Sequence, residues 1–312
     1  MKDVADDLAE LAGAADATAW RVALEDIAEE RGYYDALGAD HAALFADAGP
    51  VLLVSFETEP EVRARDGRAP LGWALARPAG WSSLVLTSRG RSWFRDPEIY
   101  GYFDRLVDDG FFDAFDQVIF TGAGPCGYAA AAYSVAAPGA TVIVLAPQAT
   151  LTPARAGWDS RFPEARRLDF TSRYGDAALM CEAATAAFVL FDPAEREDAM
   201  HAALFAAAGA STLPARHFGG ELAGLLEHSG ALGEIVTAAA EGRLDATTVF
   251  RALRARRTQS PWLRHLLAAV EARGDPALVK RLCACVLASG KRAPRFRDGL
   301  DRAERALAER DH

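Results

Sequence analysis

The sequence predicts an α/β protein with a mostly parallel sheet that helices cover on both faces, followed by an all-helical C-terminal region. Two observations carry this prediction. As far as residue 220, short and continuously apolar runs rich in β-branched residues alternate with helical patterns. After that residue, apolar positions recur at helical spacing between Gly and Pro breaks.

The chain divides into three predicted segments. Residues 1–48 combine Ala and Glu with apolar residues at helical spacing, which predicts an N-terminal helical arm. Residues 49–220 contain all the predicted strands, and residues 221–312 form a helical C-terminal domain. The strands are expected at residues 51–56, 83–87, 118–120, 140–145, 187–191 and 211–216.

Composition and charge disfavour several classes of protein. The 312 residues carry a formal net charge of -10, which argues against nucleic acid or an anionic membrane as the main partner. The first residues are acidic, and no run approaches the roughly 18 apolar residues of a membrane-spanning helix. We therefore expect neither a secretory signal nor a membrane anchor.

The cysteines show no disulfide framework and no metal-binding pattern. Cys283 and Cys285 are two positions apart on a predicted helix, so they would point about 200° apart, a poor geometry for ligating one metal ion. We therefore expect a cytoplasmic protein with reduced thiols, no metal and no cofactor.

One stretch, residues 117–134, is expected to hold the chemistry of the chain. It reads QVIFTGAGPCGYAAAAYS, which predicts a strand, a tight glycine turn and a helix. Such a turn presents backbone N–H groups and a helix N-terminus at the edge of a parallel sheet. Two interpretations of this stretch compete.

The first interpretation is the dinucleotide-binding fingerprint G-x-G-x-x-G, formed by Gly122, Gly124 and Gly127. That fingerprint needs an acidic residue about 20 positions later, at the end of the next strand, to bind the ribose. Here the next strand ends at Gln148 without a carboxylate, and at least two predicted strands precede the motif. Nicotinamide or flavin binding is therefore disfavoured.

In the second interpretation the stretch resembles the nucleophile elbow of the α/β-hydrolase family, in the form G-x-S-x-G-G-Y-A-A. Gly124 then occupies the nucleophile position and Cys126 the second flanking glycine. The resemblance covers about residues 50–220 and implies an α/β-hydrolase-like fold. The family's chain order also implies an acid after a later strand and a histidine after the last one, which Asp192 and His217 match.

The elbow departs from the family's pattern in two ways. Gly124 offers no nucleophile, and Pro125 lacks the backbone N–H that the family uses as an oxyanion-hole donor. The loss of one such donor typically lowers the rate by about 10²–10³. Serine hydrolysis at this elbow is therefore not expected.

A shifted elbow is the catalytic alternative. Cys126 would be the nucleophile, His217 would activate its thiolate, and Asp192 would complete the triad. The same residues also have a structural interpretation. Cys126 would pack against the turn, Asp192 would cap the following helix, and His217 would bind backbone at a strand end. The sequence leaves both interpretations open.

A small-molecule site is expected beside the elbow. Gly122, Gly124 and Gly127 form the turn, and Gln148 ends the neighbouring strand, so its amide is expected in the same crevice at the carboxyl ends of the strands. The arginines of residues 155–173 either bind an anionic group there or pair with the many acids, and we favour pairing.

A second resemblance points elsewhere. The stretch GAGPCGYAAAAYSVAAPGA, followed by PQATL and a Trp-Asp-Ser-Arg segment, is similar to alphaproteobacterial proteins commonly labelled phosphoadenosine phosphosulfate reductase. Such a reductase implies a Ser-Gly-Gly-type nucleotide loop and a catalytic cysteine in a Glu-Cys-Gly-type segment near the C-terminus. Cys283 and Cys285 instead lie in a helical pattern without acidic or glycine neighbours. The label is kept as an alternative.

Three functional hypotheses follow. The first is an α/β-hydrolase-like protein without the serine, which binds a small ligand or acts as a scaffold. Its helical C-terminal domain would contact another copy of the chain or a protein partner. The second is a cysteine-dependent acyl or thioester hydrolase that uses Cys126, His217 and Asp192. The third is sulfonucleotide reduction, as the label of the similar proteins implies.

Overall fold

The computed structural model of the protein describes residues 4–290 and 293–310, and its centre is an eight-stranded sheet. The strands are β1 (Gly32–Leu37), β2 (His41–Ala46), β3 (Val51–Thr58), β4 (Ser82–Ser88), β5 (Gln117–Ala123), β6 (Thr141–Leu145), β7 (Ala186–Phe191) and β8 (Ser211–Pro214). Their spatial order is β1-β2-β4-β3-β5-β6-β7-β8. β2 is antiparallel to both of its neighbours, and the other pairs are parallel. The predicted mostly parallel sheet is confirmed.

All the strands expected from residue 51 onward are present, as β3 to β8. Their apolar runs are continuous because helices cover both faces of the sheet, so successive side chains are buried in turn. β4 shows this most clearly, since each of its seven residues is buried.

Helices cover both faces of the sheet. They are α1 (Val4–Gly13), α2 (Ala17–Arg31), α3 (Glu59–Ala64), α4 (Leu71–Ala79), α5 (Pro97–Asp108), α6 (Pro125–Tyr133), α7 (Pro153–Ala156), α8 (Ala177–Met180), α9 (Arg196–Ala207), α10 (Leu222–His228), α11 (Ala231–Ala240), α12 (Ala246–Ala252), α13 (Ser260–Glu271), α14 (Pro276–Ala288) and α15 (Pro294–Arg310). α5, α6, α8 and α9 pack on one face, and α4 and the helices from α10 onward pack on the other. None of the described helices is both long and apolar enough to cross a lipid bilayer.

The N-terminal arm differs from its prediction. α1 and α2 are present, but β1 and β2 form a hairpin where helix was expected as far as residue 48; residues 1–3 lie outside the described part. The alanine content of this region predicts helix, whereas Tyr33 and Phe45 favour strands and pair with each other across the hairpin. Gly38 takes the positive φ of +67° in the turn. The hairpin places two strands at one edge of the sheet.

Of the helices after residue 221, α10 and α11 pack against the sheet, and α13, α14 and α15 pack on one another outside them. Leu226 of α10 and Ile235 of α11 are buried in the same cluster as Ile119 of β5 and Ile143 of β6. The helical character predicted for this region is confirmed, and the helices complete one layer of the core. The division of the chain into three domains stays a prediction.

Strand alternation decides which polar side chains face these C-terminal helices. Leu53 of β3 and Ile119 of β5 lie in the cluster beneath them. Because side chains alternate along a strand, Ser55 and Glu57 point the same way as Leu53, and Thr121 points the same way as Ile119. Polar groups therefore reach the carboxyl edge of the sheet on the side of α10 and α11.

Candidate functional site

The elbow follows β5 directly. Gly124 joins β5 to α6 with φ +53° and ψ -123°, the geometry of the first central residue of a type II′ turn, where glycine is strongly preferred. A Cβ on Gly122 would lie 2.4 Å from the carbonyl oxygen of Cys126, and one on Gly127 would lie 3.0 Å from that of Gly122. The three glycines thus allow α6 to begin in close contact with β5.

Gln148 lies beside Gly124, as the sequence predicts. It is 2% exposed, and its Oε1 accepts a hydrogen bond from Trp93 Nε1 at 2.5 Å. Its Nε2 lies 3.9 Å from the position that a Cβ on Gly124 would take, and among the described residues no other group outside the neighbouring backbone comes within 4 Å of that point. The amide of Gln148 therefore faces the place of the missing nucleophile.

A strained turn holds Trp93 against Gln148. Trp93 and Phe94 have φ values of +51° and +52°, and two consecutive non-glycine residues in the left-handed region are rare. The buried Trp93 ring has Phe162 and Phe170 beside it, with centroids 5.2 and 6.4 Å away. The Gln148 side of the elbow is therefore packed with aromatic side chains.

A serine and a histidine hold the same turn. Ser92 Oγ accepts a hydrogen bond from the Phe94 N–H at 3.1 Å and lies 2.8 Å from His41 Nε2. His41 Nδ1 is 3.8 Å from Asp96 Oδ2, which is too long for a hydrogen bond. These residue types match a hydrolytic triad, but the long contact and the bond from Ser92 to its own turn indicate a clamp on strained backbone.

A cavity of about 310 Å³ opens at the carboxyl edge of the sheet, on the side of α10 and α11. We call it the carboxyl-edge cavity. Its largest apolar lining residues are Phe56, Leu71, Leu145 and Leu232. Its polar lining residues are Ser55, Glu57, Glu61, Arg65, Thr121 and Glu227. Gly122 and Cys126 also line it, whereas Gly124 and Gln148 do not. The cavity therefore lies beside the elbow but away from the nucleophile position.

A buried carboxylate organises the inner wall of this cavity. Glu57 accepts hydrogen bonds from the Ser55 hydroxyl and from the N–H groups of Leu71 and Gly72, at 2.9, 2.8 and 3.0 Å. Arg65 Nη1 donates to the same carboxylate at 2.5 Å, and Arg65 Nε donates to Glu227 Oε1 at 2.8 Å. The chain Glu57–Arg65–Glu227 thus links the end of β3 to α10 across the cavity.

Cys126, the candidate nucleophile of the shifted elbow, lines the cavity. It is 4% exposed, and burial raises the pKa of its thiol well above the ordinary value of 9.0. The carboxylates of Glu61 and Glu57 raise that pKa further, and Arg65 opposes them. Because the thiolate is the reactive form, a protonated Cys126 is unreactive. No histidine lines the cavity, so His217 is not brought beside this thiol.

Asp192 and His217 follow β7 and β8 in the predicted order. Asp192 accepts hydrogen bonds from the N–H groups of Ala194 at 3.0 Å and Gly219 at 2.8 Å. No hydrogen bond or ion pair links it to His217, both residues being in the described part of the chain. Burial lowers the pKa of His217, and the charge of Asp192 only partly offsets this. Asp192 thus ties the end of β7 to the turn after β8.

Three of the five arginines between β6 and β7 pair with acids, which is the interpretation favoured from the sequence. The ion pairs are Arg155–Asp176, Arg161–Asp159, Arg161–Asp198 and Arg173–Asp104. His201 of α9 accepts a hydrogen bond from the Ala149 N–H at Nδ1 and donates from Nε2 to Asp159, at 3.1 and 3.0 Å. These bonds attach the segment to α9. Among the described residues, Arg166 and Arg167 form no ion pair.

The comparisons with known proteins concern the fold. No protein-family model matches the chain, and no curated protein does. Similar solved structures include EstE1, a thermostable carboxylesterase cloned from a metagenomic library, at 14% identity over 78% of this chain and 98% of that one, with TM-score 0.40. An esterase from Pyrobaculum calidifontis has 14% identity over 74% of this chain and 94% of that one, with TM-score 0.44. A Glycosylation Associate Protein (Gap123) complex from Streptococcus agalactiae has 16% identity over 68% of this chain and 47% of that one, with TM-score 0.45.

The fold is α/β-hydrolase-like. The mostly parallel sheet and the strand–turn–helix at Gly124 carry that statement. Likenesses with so low an identity and TM-score carry no argument about activity. The reductase label of similar sequences stays a prediction.

Sequence reasoning missed the polar groups of the cavity. Glu57 directly follows the predicted strand 51–56, at the edge where parallel sheets place functional groups, so its position was a usable signal. Arg65 and Glu227 lie far apart in the chain, and no spacing in the sequence relates them. Within the described residues, no group of three or more acidic, histidine or cysteine side chains is placed to hold a metal ion.

Proposed function

We propose that this α/β-hydrolase-like protein binds a small ligand in the carboxyl-edge cavity and does not hydrolyse esters at its elbow. The observation that carries the proposal is Gly124. Its backbone has the sharp strand-to-helix turn of a nucleophile elbow, but it has no side chain, and Pro125 after it has no N–H. An elbow without nucleophile and without this donor retains its geometry and lacks its chemistry.

The cavity supports the binding half of the proposal. Its volume of about 310 Å³ is at the lower end of the range for small-molecule pockets, about 300–1,000 Å³. It lies at the carboxyl ends of β3, β5 and β6, the edge at which parallel sheets bind ligands. Apolar walls with a few convergent polar groups are typical of such sites.

Contact with a second copy of the chain through the C-terminal helices is part of the proposal. Phe250 on α12 is 42% exposed and is the side chain of the C-terminal helices through which we propose this contact. Sedimentation velocity of the wild type and of Phe250→Ser measures the self-association of the chain. We expect a dimer that the substitution weakens, and a monomer at all concentrations in the wild type would overturn it.

Hydrolysis assays test the first half. Wild type, Cys126→Ala and His217→Ala are assayed against activated nitrophenyl esters and acyl thioesters. We expect no turnover above the rate without protein. Turnover that both substitutions abolish would establish the cysteine hydrolase and overturn the proposal. Turnover that survives both substitutions would indicate a contaminating enzyme, and further purification should then remove the activity.

Ligand screening tests the second half. A set of small fragments is screened by the thermal shift of the wild type and of Ala223→Trp, which fills the cavity from α10. Ala207→Trp on the exposed side of α9 is the matched control. We expect fragments that stabilise the wild type and the control but not Ala223→Trp. Fragments that stabilise all three proteins alike would place binding elsewhere and overturn the assignment to the cavity.

A further inference from the structure

The charges around the carboxyl-edge cavity point to one class of ligand. We infer that its ligand is an apolar molecule with one protonated amine, the amine lying at the mouth and the apolar body inside. The inference rests on the proposed function, since it names the ligand class of the same cavity.

The mouth of the cavity is acidic. Of its charged lining residues three are acids, Glu57, Glu61 and Glu227, and only Arg65 is basic. Glu57 is already saturated by Arg65 and by its other hydrogen-bond donors. Glu61 is exposed, and its carboxylate makes no hydrogen bond or ion pair with the described residues. Its carboxylate is therefore available to a cation.

The single basic residue does not favour an anion. Arg65 is held between Glu57 at 2.5 Å and Glu227 at 2.8 Å, so its charge is neutralised from both sides. Glu227 uses only one oxygen for this contact, and its side chain is 30% exposed. Glu61 and the second oxygen of Glu227 therefore leave acceptors at the mouth for the N–H groups of an ammonium ligand.

The interior adds an independent sign of a ligand. Thr121 lines the cavity and is 2% exposed, yet its hydroxyl makes no hydrogen bond within the described part of the chain. The hydroxyl oxygen is open to the cavity rather than sealed in the core, so a bound molecule can reach it. The surrounding walls are apolar, with Ala123, Leu145 and Leu232 beside it. In addition to the amine at the mouth, one polar atom on the inner part of the ligand would give the Thr121 hydroxyl a partner.

Three isosteric probes test the charge of the ligand. Cyclohexylmethylamine, cyclohexylmethanol and cyclohexanecarboxylate are titrated into the full chain by calorimetry at low salt. We expect the amine to bind about 5- to 10-fold more tightly than the alcohol, because hydrogen bonds to charged groups are the stronger ones. The carboxylate should bind most weakly. Added salt should narrow the difference, since the mouth is exposed to solvent.

Substitutions then locate the effect. Glu61→Gln should weaken the binding of the amine about 2- to 5-fold, as expected for an exposed charge pair, and should leave the affinity for the alcohol unchanged. Glu164→Gln, at an exposed position that does not line the cavity, is the matched control and should change neither. Aminomethylcyclohexanol carries an additional hydroxyl for Thr121, so it should bind the wild type more tightly than cyclohexylmethylamine does. In Thr121→Val the two amines should bind with equal affinity.

The outcomes separate the two proposals. If the alcohol or the carboxylate binds as tightly as the amine, the inference of a cationic ligand is overturned. The cavity would still be the binding site if Ala223→Trp abolishes the binding of these probes. An amine preference that Glu61→Gln does not reduce would also overturn the inference. Failure of all three probes to bind would count against the cavity itself and remove both proposals.

Discussion

The amide nitrogen of Gln148 lies 3.9 Å from the point that a Cβ on Gly124 would occupy. In an active elbow the nucleophile side chain would begin at that point. Here a buried amide, fixed by Trp93, faces it instead of a histidine. On the proposed function, this amide takes the place that a base would have in an active elbow.

Restoring a serine at this position should not restore hydrolysis. In Gly124→Ser the hydroxyl would lie near Gln148, Pro125 would still lack its N–H, and no base would be in reach. Because serine, unlike glycine, is strained at the positive φ of position 124, the substitution should lower the free energy of unfolding by about 1–3 kcal/mol. Ester hydrolysis and denaturant unfolding measure the two effects. Gly124→Ala is the control, and turnover in the serine variant alone would contradict the prediction.

The contact between Gln148 and Trp93 should matter for stability. Gln148→Leu leaves the buried Trp93 N–H without an acceptor, which should lower the free energy of unfolding by about 1–3 kcal/mol. Urea unfolding of Gln148→Leu, Trp93→Phe and the double variant measures the coupling between the two side chains. We expect the double variant to lose less than the sum of the single losses, and strict additivity would show that the contact contributes nothing.

Thiol reactivity should follow burial. Cys126, Cys181 and Cys283 are buried and Cys285 is exposed. With dithiodipyridine, native protein should therefore react rapidly at Cys285 alone, and the other thiols should react only on unfolding. The absorbance of the released thiopyridone, at a stoichiometric amount of reagent, measures the number of reacting thiols. Cys285→Ser is the control. Rapid labelling of Cys126 in that control would contradict its burial and would reopen the cysteine hydrolase.

Stability should fall as the pH drops below neutrality, in part through His41. Burial lowers the folded-state pKa of His41 below its ordinary 6.5, with Asp96 and Asp40 opposing the shift. Between that ordinary value and the lower folded value the unfolded chain binds more protons, so the stability present above pH 6.5 is lost as pH falls. His41→Gln should make the curve of unfolding free energy against pH flatter. The exposed His228→Gln is the control, and equal slopes in both variants would contradict the assignment.

Much of the fold was predictable because it depends on local patterns. Continuous apolar runs mark buried parallel strands, and β3 to β8 all lie where those runs occur. The glycine turn at Gly124 was predictable too, since small residues are required wherever strand and helix backbones approach closely. The hairpin of residues 32–46 was missed, because alanine content outweighed the strand preference of its aromatic residues.

Residue identities and short-range patterns were enough to predict strands β3 to β8, the glycine turn at Gly124, and the lack of a serine at Gly124 and of an N–H at Pro125. The tertiary structure decided which residues meet. It buried Cys126, gave the oxygens of Asp192 to backbone N–H groups, and joined Glu57 to Glu227 through Arg65. Such contacts depend on how distant segments pack, and no spacing along the chain records that geometry.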